Sequence, residues 1–235
     1  MRAATIIIMT ESFAPLSQKS LLRLMQLSSA SLPVGGYSFS QGLEYAIDAG
    51  WLKTADDIHD WVLLAMEESL ANVDLPLLSR LQQSAQVNDK KAFNYWNATV
   101  LACRETTELT LTETAMGDAL KRLLNSMEIP QIPCEQSPSF IAGYAIAANY
   151  WAIPTQTAQV GLLWSWLENQ IAAATKLVPL GQTQSQKLLI QLGEEVDNIV
   201  KKAMQVTDEN IGSSLPGLAM ASSWHETQYS RLFRS

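Results

Sequence analysis

The segment from about Gln156 to Val178 constrains the fold more than any other stretch of the chain. Thr155 stands at its start as a cap and Pro179 lies beyond its end, while Val160, Leu163, Trp164, Leu167, Ile171 and Ala174 recur along one side at helical spacing. The apolar character extends around much of the circumference. A helix of that kind must be covered on most sides, which places it centrally in a helical bundle.

The rest of the chain supplies helices to surround it. Ser17 or Ser20 can cap a helix whose Leu21, Leu22, Leu24, Met25 and Leu27 form a broad apolar face up to the break at Ser28-Ser29. From Phe39, the residues Phe39, Leu43, Ala46 and Ile47 predict a second helix stopped at Gly50. Thr54 and Asp57 form a capping box for a third, with Ile58, Trp61, Val62, Ala65 and Ser69 aligned, and Asp74-Pro76 begins another. Asn88-Asp89 starts a helix through Phe93, Trp96, Val100 and Leu101. The threonine-rich stretch from Thr106 to Thr114 alternates locally like a strand, but a lone strand has no pairing partner here, so the reading is helix.

Ile129-Pro130-Gln131-Ile132-Pro133 is a short, stiff connection and the only candidate internal boundary. Beyond it, Ser137-Pro138 opens an alanine-rich helix ended by Trp151 and Pro154. One helix is expected from Leu188 through Met204, and Leu215-Pro216-Gly217 starts a last short one. With no repeat and no alternation of strands and helices, the expected fold is all-α, a single-domain bundle of about eight to ten helices. Residues 1–16 are read as a flexible extension, 17–224 as the helical domain and 225–235 as a tail.

Composition narrows the function. A net charge of −7 argues against general nucleic-acid binding, which needs a basic surface to neutralise phosphates, and favours a basic protein partner. No apolar run is long enough to span a membrane. Cys103 and Cys134 are far apart and in no metal-binding pattern, so the default setting is a reducing cytoplasm. His59 and His225 are the only histidines, too few with two separated cysteines to cage a metal. His225-Glu226 begins like a zinc-protease motif, but Tyr229 stands where the second histidine belongs. His59, beside Asp57 and Asp60, reads as solvent-facing. No phosphate-binding loop motif is present. An enzyme alternative would use Ser38 as a hydrolase nucleophile with His225 or His59 as base, although the flanking pattern lacks the last glycine of a nucleophile elbow.

The stretch Leu32-Pro33-Val34-Gly35-Gly36-Tyr37-Ser38-Phe39-Ser40-Gln41-Gly42-Leu43-Glu44 mixes turn-forming residues with polar ones between two helices. Pro33 fixes one φ angle, and Gly35 and Gly36 reach conformations other residues avoid, so the chain turns sharply. This run resembles the N-terminal signature of the urease accessory protein UreF family, which helps assemble the nickel centre of urease. Three further stretches resemble the same family in the same order: Ala102 to Thr107, Trp164 to Gln170 continuing through Lys176 to Gln182, and His225 to Ser235. The aromatic order Tyr37 then Phe39 is exchanged in many members, and residues 1–16 match nothing in the family's core pattern.

The resemblance implies an all-helical adaptor without catalytic group, metal site or cofactor of its own. It would form a homodimer, join the D-type (also termed H-type) accessory protein, and through it recruit the G-type GTPase that delivers nickel to apo-urease. Carried over by position, Pro33, Gly35, Gly36, Tyr37, Ser38, Gln41, Gly42 and Glu44 would shape one contact surface. Glu168, Gln170, Lys176 and Gln182 would lie at or near a GTPase-facing surface, and Arg104 with Glu105 would form a buried ion pair fixing two helices. The segment His225, Glu226, Gln228, Tyr229, Arg231, Leu232, Phe233 and Arg234 would order on the D-type partner, burying Tyr229, Leu232 and Phe233.

Overall fold

The computed structural model describes residues 16–235, so the expected extension lies almost wholly outside the described residues. Among these residues the chain is all-α, with no strand. Eleven α-helices follow in order: α1 Gln18–Leu27, α2 Leu43–Asp48, α3 Ala55–Leu64, α4 Leu75–Gln86, α5 Lys90–Ala102, α6 Thr107–Ser126, α7 Phe140–Tyr150, α8 Thr155–Leu177, α9 Gln182–Glu194, α10 Val196–Gln205 and α11 Pro216–His225.

Local capping chemistry sets many of the starts. Ser17, Asp89, Thr106 and Ser139 each accept a backbone N–H three residues on, and Thr54 with Asp57 completes the expected capping box. The threonine-rich stretch is helical, as its flanks require. Thr110 and Thr114 return their hydroxyls to carbonyls four residues back, while Thr112 faces the interior.

The most enclosed helix is α7 rather than α8, because Phe140 through Ala148 are all buried. Its small side chains let α4 and α6 pack closely on either side, with α5, α8 and α1 completing the enclosure. Helix α8 is the longest, and it joins the halves by touching α1, α2, α3, α4, α7, α9 and α10. Because α6 packs directly on α7, the proline-containing connection between them does not divide the molecule.

Several boundaries differ from expectation: Thr155 is the first residue of α8 rather than its cap, because Pro154 takes the cap position. Asp74-Pro76 does not begin a separate helix: Ala65–Asp74 is a π-helical segment that carries α3 directly into α4. Pro76 has no N–H and its ring would press on the Asn72 carbonyl in an α-helix, whereas the wider register leaves that carbonyl to accept the Gly212 N–H at 3.2 Å. The helix expected over Leu188–Met204 breaks at Glu195, whose N–H turns back to Leu192. The step lets α9 cover α8 and α3 while α10 seats Ile199, Val200 and Ala203 against α4, α8 and the π segment.

Candidate functional site: the docked tail and the loop beneath it

The turn-rich signature is a compact platform rather than the start of a helix. Gly35 takes φ +77° and leads into a short 3-10 turn at Gly36–Ser38, and helix α2 begins only at Leu43. Gly42 has φ +85°, and a Cβ there would come within 3.0 Å of the Ser222 backbone nitrogen. That lets α11 lie directly on α2.

Two residues of the tryptophan-rich α8 pin the loop. Trp166 Nε1 donates to the Gln41 side-chain oxygen at 2.7 Å, and Asn169 Nδ2 donates to the Phe39 carbonyl at 3.2 Å. Phe39 and Ser40 are buried, whereas Pro33 and Tyr37 face solvent.

Glu44 is buried and acts as the clamp for the tail. Its Oε1 accepts the Leu232 N–H at 2.6 Å, and its Oε2 accepts the Phe233 N–H at 2.9 Å. The same Oε2 lies 3.0 Å from His225 Nε2, while His225 Nδ1 lies 2.8 Å from Glu108 Oε2. Glu108 Oε1 accepts from Arg231 at 2.9 Å. The fully buried His225 thus bridges the two carboxylates, and Arg231 supplies Glu108 with a cation at the edge of the cluster, so the buried oxygens of both acids have hydrogen-bond partners away from water.

The last residues complete the docking. Arg234 N–H donates to the Ser38 carbonyl at 2.7 Å, Ser40 and Gln41 N–H groups converge on the Ser235 carbonyl, and Ser235 Oγ meets Thr112 Oγ1 at 2.6 Å. Phe233 is buried with Lys176 Nζ 5.5 Å from its ring centre, and Arg234 lies over Phe39 at 5.7 Å. The tail therefore orders on the chain itself, because body-derived acceptors satisfy its N–H groups. Leu232 and Tyr229 remain outside; Tyr229 is fully exposed.

Beside this platform lies a crevice of about 190 Å³. Gly36, Tyr37 and Gln41 from the loop, Glu168 from α8, and Arg104 and Glu105 line it. Arg104 does not pair with Glu105. It bridges Asp74 at 2.5 Å and Glu113 at 2.8 Å, whereas Glu105 is exposed and accepts from Ser214. The chain turns between the end of α5 and the Thr106 cap of α6, which sends the two neighbouring side chains apart. Burial disfavours the Arg104 charge, but Asp74 and Glu113 outweigh it and raise its pKa.

Other expectations are placed less closely. Gln170 is buried, so it does not reach the surface of this chain, because it falls on the inward side of α8 beside Leu167 and Ile171. Lys176 and Gln182 are exposed, Glu226 is exposed and Gln228 is half-buried. His59 is partly covered and sits 3.0 Å from Asp60. Ser38 offers its backbone carbonyl to Arg234, and both nitrogens of His225 face carboxylates rather than the Ser38 hydroxyl. Among the described residues, no group of three His, Cys, Asp or Glu side chains is placed to hold a metal, and no helix is long and apolar enough to cross a membrane.

The site residues that sequence reasoning missed are Asp74, Glu108, Thr112 and Glu113. Glu108 carries one local signal, its place in the first turn after the Thr106 cap, which explains a helix start equally well.

Thus four motifs distant in sequence, the signature loop, the start of α6, the tryptophan-rich helix and the tail, form one continuous structure. The UreF family model matches residues 52–193. The chain belongs to the UreF family of urease accessory proteins. It is similar to the urease accessory protein UreF of Marinomonas sp. (strain MWYL1), at 52% identity over 92% of this chain and 94% of that protein. The corresponding figures are 48%, 96% and 99% for UreF of Alkalilimnicola ehrlichii, and 45%, 92% and 98% for UreF of Hahella chejuensis. The likeness to these relatives extends well beyond the matched segment, since it covers more than nine-tenths of the chain.

Proposed function

We propose that this chain is a cytoplasmic, non-catalytic adaptor in urease maturation. It joins the D/H-type accessory protein and, through that complex, brings the G-type GTPase to apo-urease so that nickel enters the active site as cargo of the assembly. Residues 17–224 serve as the rigid body, a homodimer in the working state, and 225–235 as the partner-binding segment. Influence on GTP hydrolysis follows from positioning the GTPase or from a supplied arginine.

The observation that carries this reading is the clamped tail. Glu44, Glu108 and Thr112 fix its inner side chains and main chain, leaving Tyr229 and Leu232 projecting from an ordered base. An anchor held in place before binding loses less conformational freedom on association. Buried Glu44, His225 and Phe233 act in this reading by shaping the surface, and Pro33, Tyr37, Tyr229 and Leu232 by touching the partner.

The test is a pull-down with the co-expressed D/H-type protein and the GTP-loaded GTPase, comparing the intact chain with one ending at Gln228. Capture of both proteins by the intact chain alone is expected. Equal capture by the shortened chain overturns the role given to the tail.

A further inference from the structure

The crevice beside the signature loop carries an unbalanced charge. Asp74, Glu105, Glu113 and Glu168 line it, and among the described residues Arg104 is the one cation on its walls. Arg104 lies between Asp74 and Glu113, so two acids meet one base and the trio keeps an excess of negative charge. Glu105 has only the Ser214 hydroxyl as a donor, and the half-buried Glu168 has no donor or cation among the described residues.

Part of the buried trio is also left open. Asp74 is 8% exposed and commits Oδ1 to Arg104, while among the described residues no group donates to its Oδ2. Arg104 spends Nη2 on both acids and has no acceptor there at Nε or Nη1. Polar atoms in such places are ordinarily paired, so the crevice offers a carboxylate oxygen and guanidinium donors to whatever enters it.

The walls select the occupant. Leu27, Val34, Leu70, Met116 and Leu162 line the same space, which at about 190 Å³ has room for a short hydrocarbon. A neutral apolar molecule would leave the charged groups unpaired, and an anion would meet the excess of carboxylates. A metal ion would gain nothing from the apolar walls, and among the described residues no three ligating side chains stand together to replace its water. An organic ammonium ion meets both demands: its N–H groups donate to single carboxylate oxygens, and its hydrocarbon covers the apolar side chains.

We propose that this crevice is a binding site for a small alkylammonium ion. Asp74 Oδ2 accepts from its head, Arg104 holds Asp74 in position, Glu105 and Glu168 add attraction from further off, and the apolar walls enclose its chain. The site belongs to the isolated chain and does not depend on the adaptor reading.

The test titrates n-hexylammonium chloride into the full chain by calorimetry, with sodium hexanoate and 1-hexanol as probes of equal chain length. Cys103, which also lines the crevice, is followed by its rate of labelling with iodoacetamide, and Cys134, which does not, is the reference. Saturable binding of hexylammonium alone is expected, slowing Cys103 labelling about threefold or more and leaving Cys134 unchanged. Asp74→Asn should weaken binding about tenfold or more, and Glu168→Gln, which gives up no hydrogen bond, about three- to fivefold. Glu135→Gln, on an exposed acid outside the crevice, is the control and should bind as the parent does. Circular dichroism melts establish folding, and Glu168→Gln keeps the test open if Asp74→Asn unfolds. The site is overturned if hexylammonium does not saturate, if hexanoate or hexanol binds equally well, or if binding leaves Cys103 labelling unchanged. Parent affinity in a folded Asp74→Asn or in Glu168→Gln overturns it too. With no partner protein in the assay, none of these results bears on the adaptor reading.

Discussion

Replacing Glu44 by Gln tests whether one buried carboxylate holds the tail. The substitution keeps the side-chain volume, but removes the charge and turns one acceptor oxygen into an NH2 group facing donors. Three bonds converge on this carboxylate, from Leu232 N–H, Phe233 N–H and His225 Nε2. A hydrogen bond to a charged group contributes about 1.5–3 kcal/mol, and breaking one partner of a buried charge cluster costs about 3–5 kcal/mol. Release of the tail avoids that cost, while forfeiting the burial of Phe233, about 1.5–3 kcal/mol, and the bonds of Arg231, Arg234 and Ser235 to the body. The substitution therefore makes tail opening easier by about 3–5 kcal/mol and leaves the helical body as it was. Hydrogen exchange should show protection at the Leu232 and Phe233 amides falling by about two to four orders of magnitude, at 1.36 kcal/mol per tenfold, or to full exposure. Amides of α7 should keep their protection. Tail amides as protected in Glu44→Gln as in the parent chain would refute the argument, since the carboxylate would then not be what holds them.

Arg104→Met should cost about 3–5 kcal/mol by leaving Asp74 and Glu113 buried without their cation, lowering the melting temperature by roughly 6–20 °C; exposed Glu105→Gln should stay within about 0.5 kcal/mol. Equal effects of the two in thermal melts would restore the Arg104–Glu105 pair. Gly42→Ala places a Cβ at φ +85° against the backbone of α11 and should cost about 1–3 kcal/mol, with exchange rising first in α11; an unchanged denaturant midpoint would contradict this. Burial raises the thiol pKa of Cys103, with Arg104 opposing and Asp74 adding to the rise, and burial likewise raises that of Cys134 against Lys121. Less thiolate is then present at neutral pH, so iodoacetamide should label the folded chain more slowly than the unfolded one, and faster as pH rises into and past the ordinary thiol range. Equal labelling of folded and unfolded chains at pH 7 would oppose that assignment.

What the sequence determined by itself is the set of interactions within a few residues of one another. The Thr54–Asp57 capping box, the Ser17 and Asp89 caps and the apolar stripes all act between neighbours, so they are legible before any tertiary contact is known. Family resemblance added which stretches matter, but not how they meet. The tertiary structure alone decided that Glu44 reaches His225, 181 positions away, that Arg104 turns from adjacent Glu105 toward Asp74 and Glu113, and that Gln170 points inward. It also decided that the tail, which the resemblance would order on a partner, folds onto its own chain. The reason is common to all four. A charged or polar side chain carries no mark of its partner in its own neighbourhood; its partner is whichever donor or acceptor the packing of distant helices leaves beside it where water is excluded.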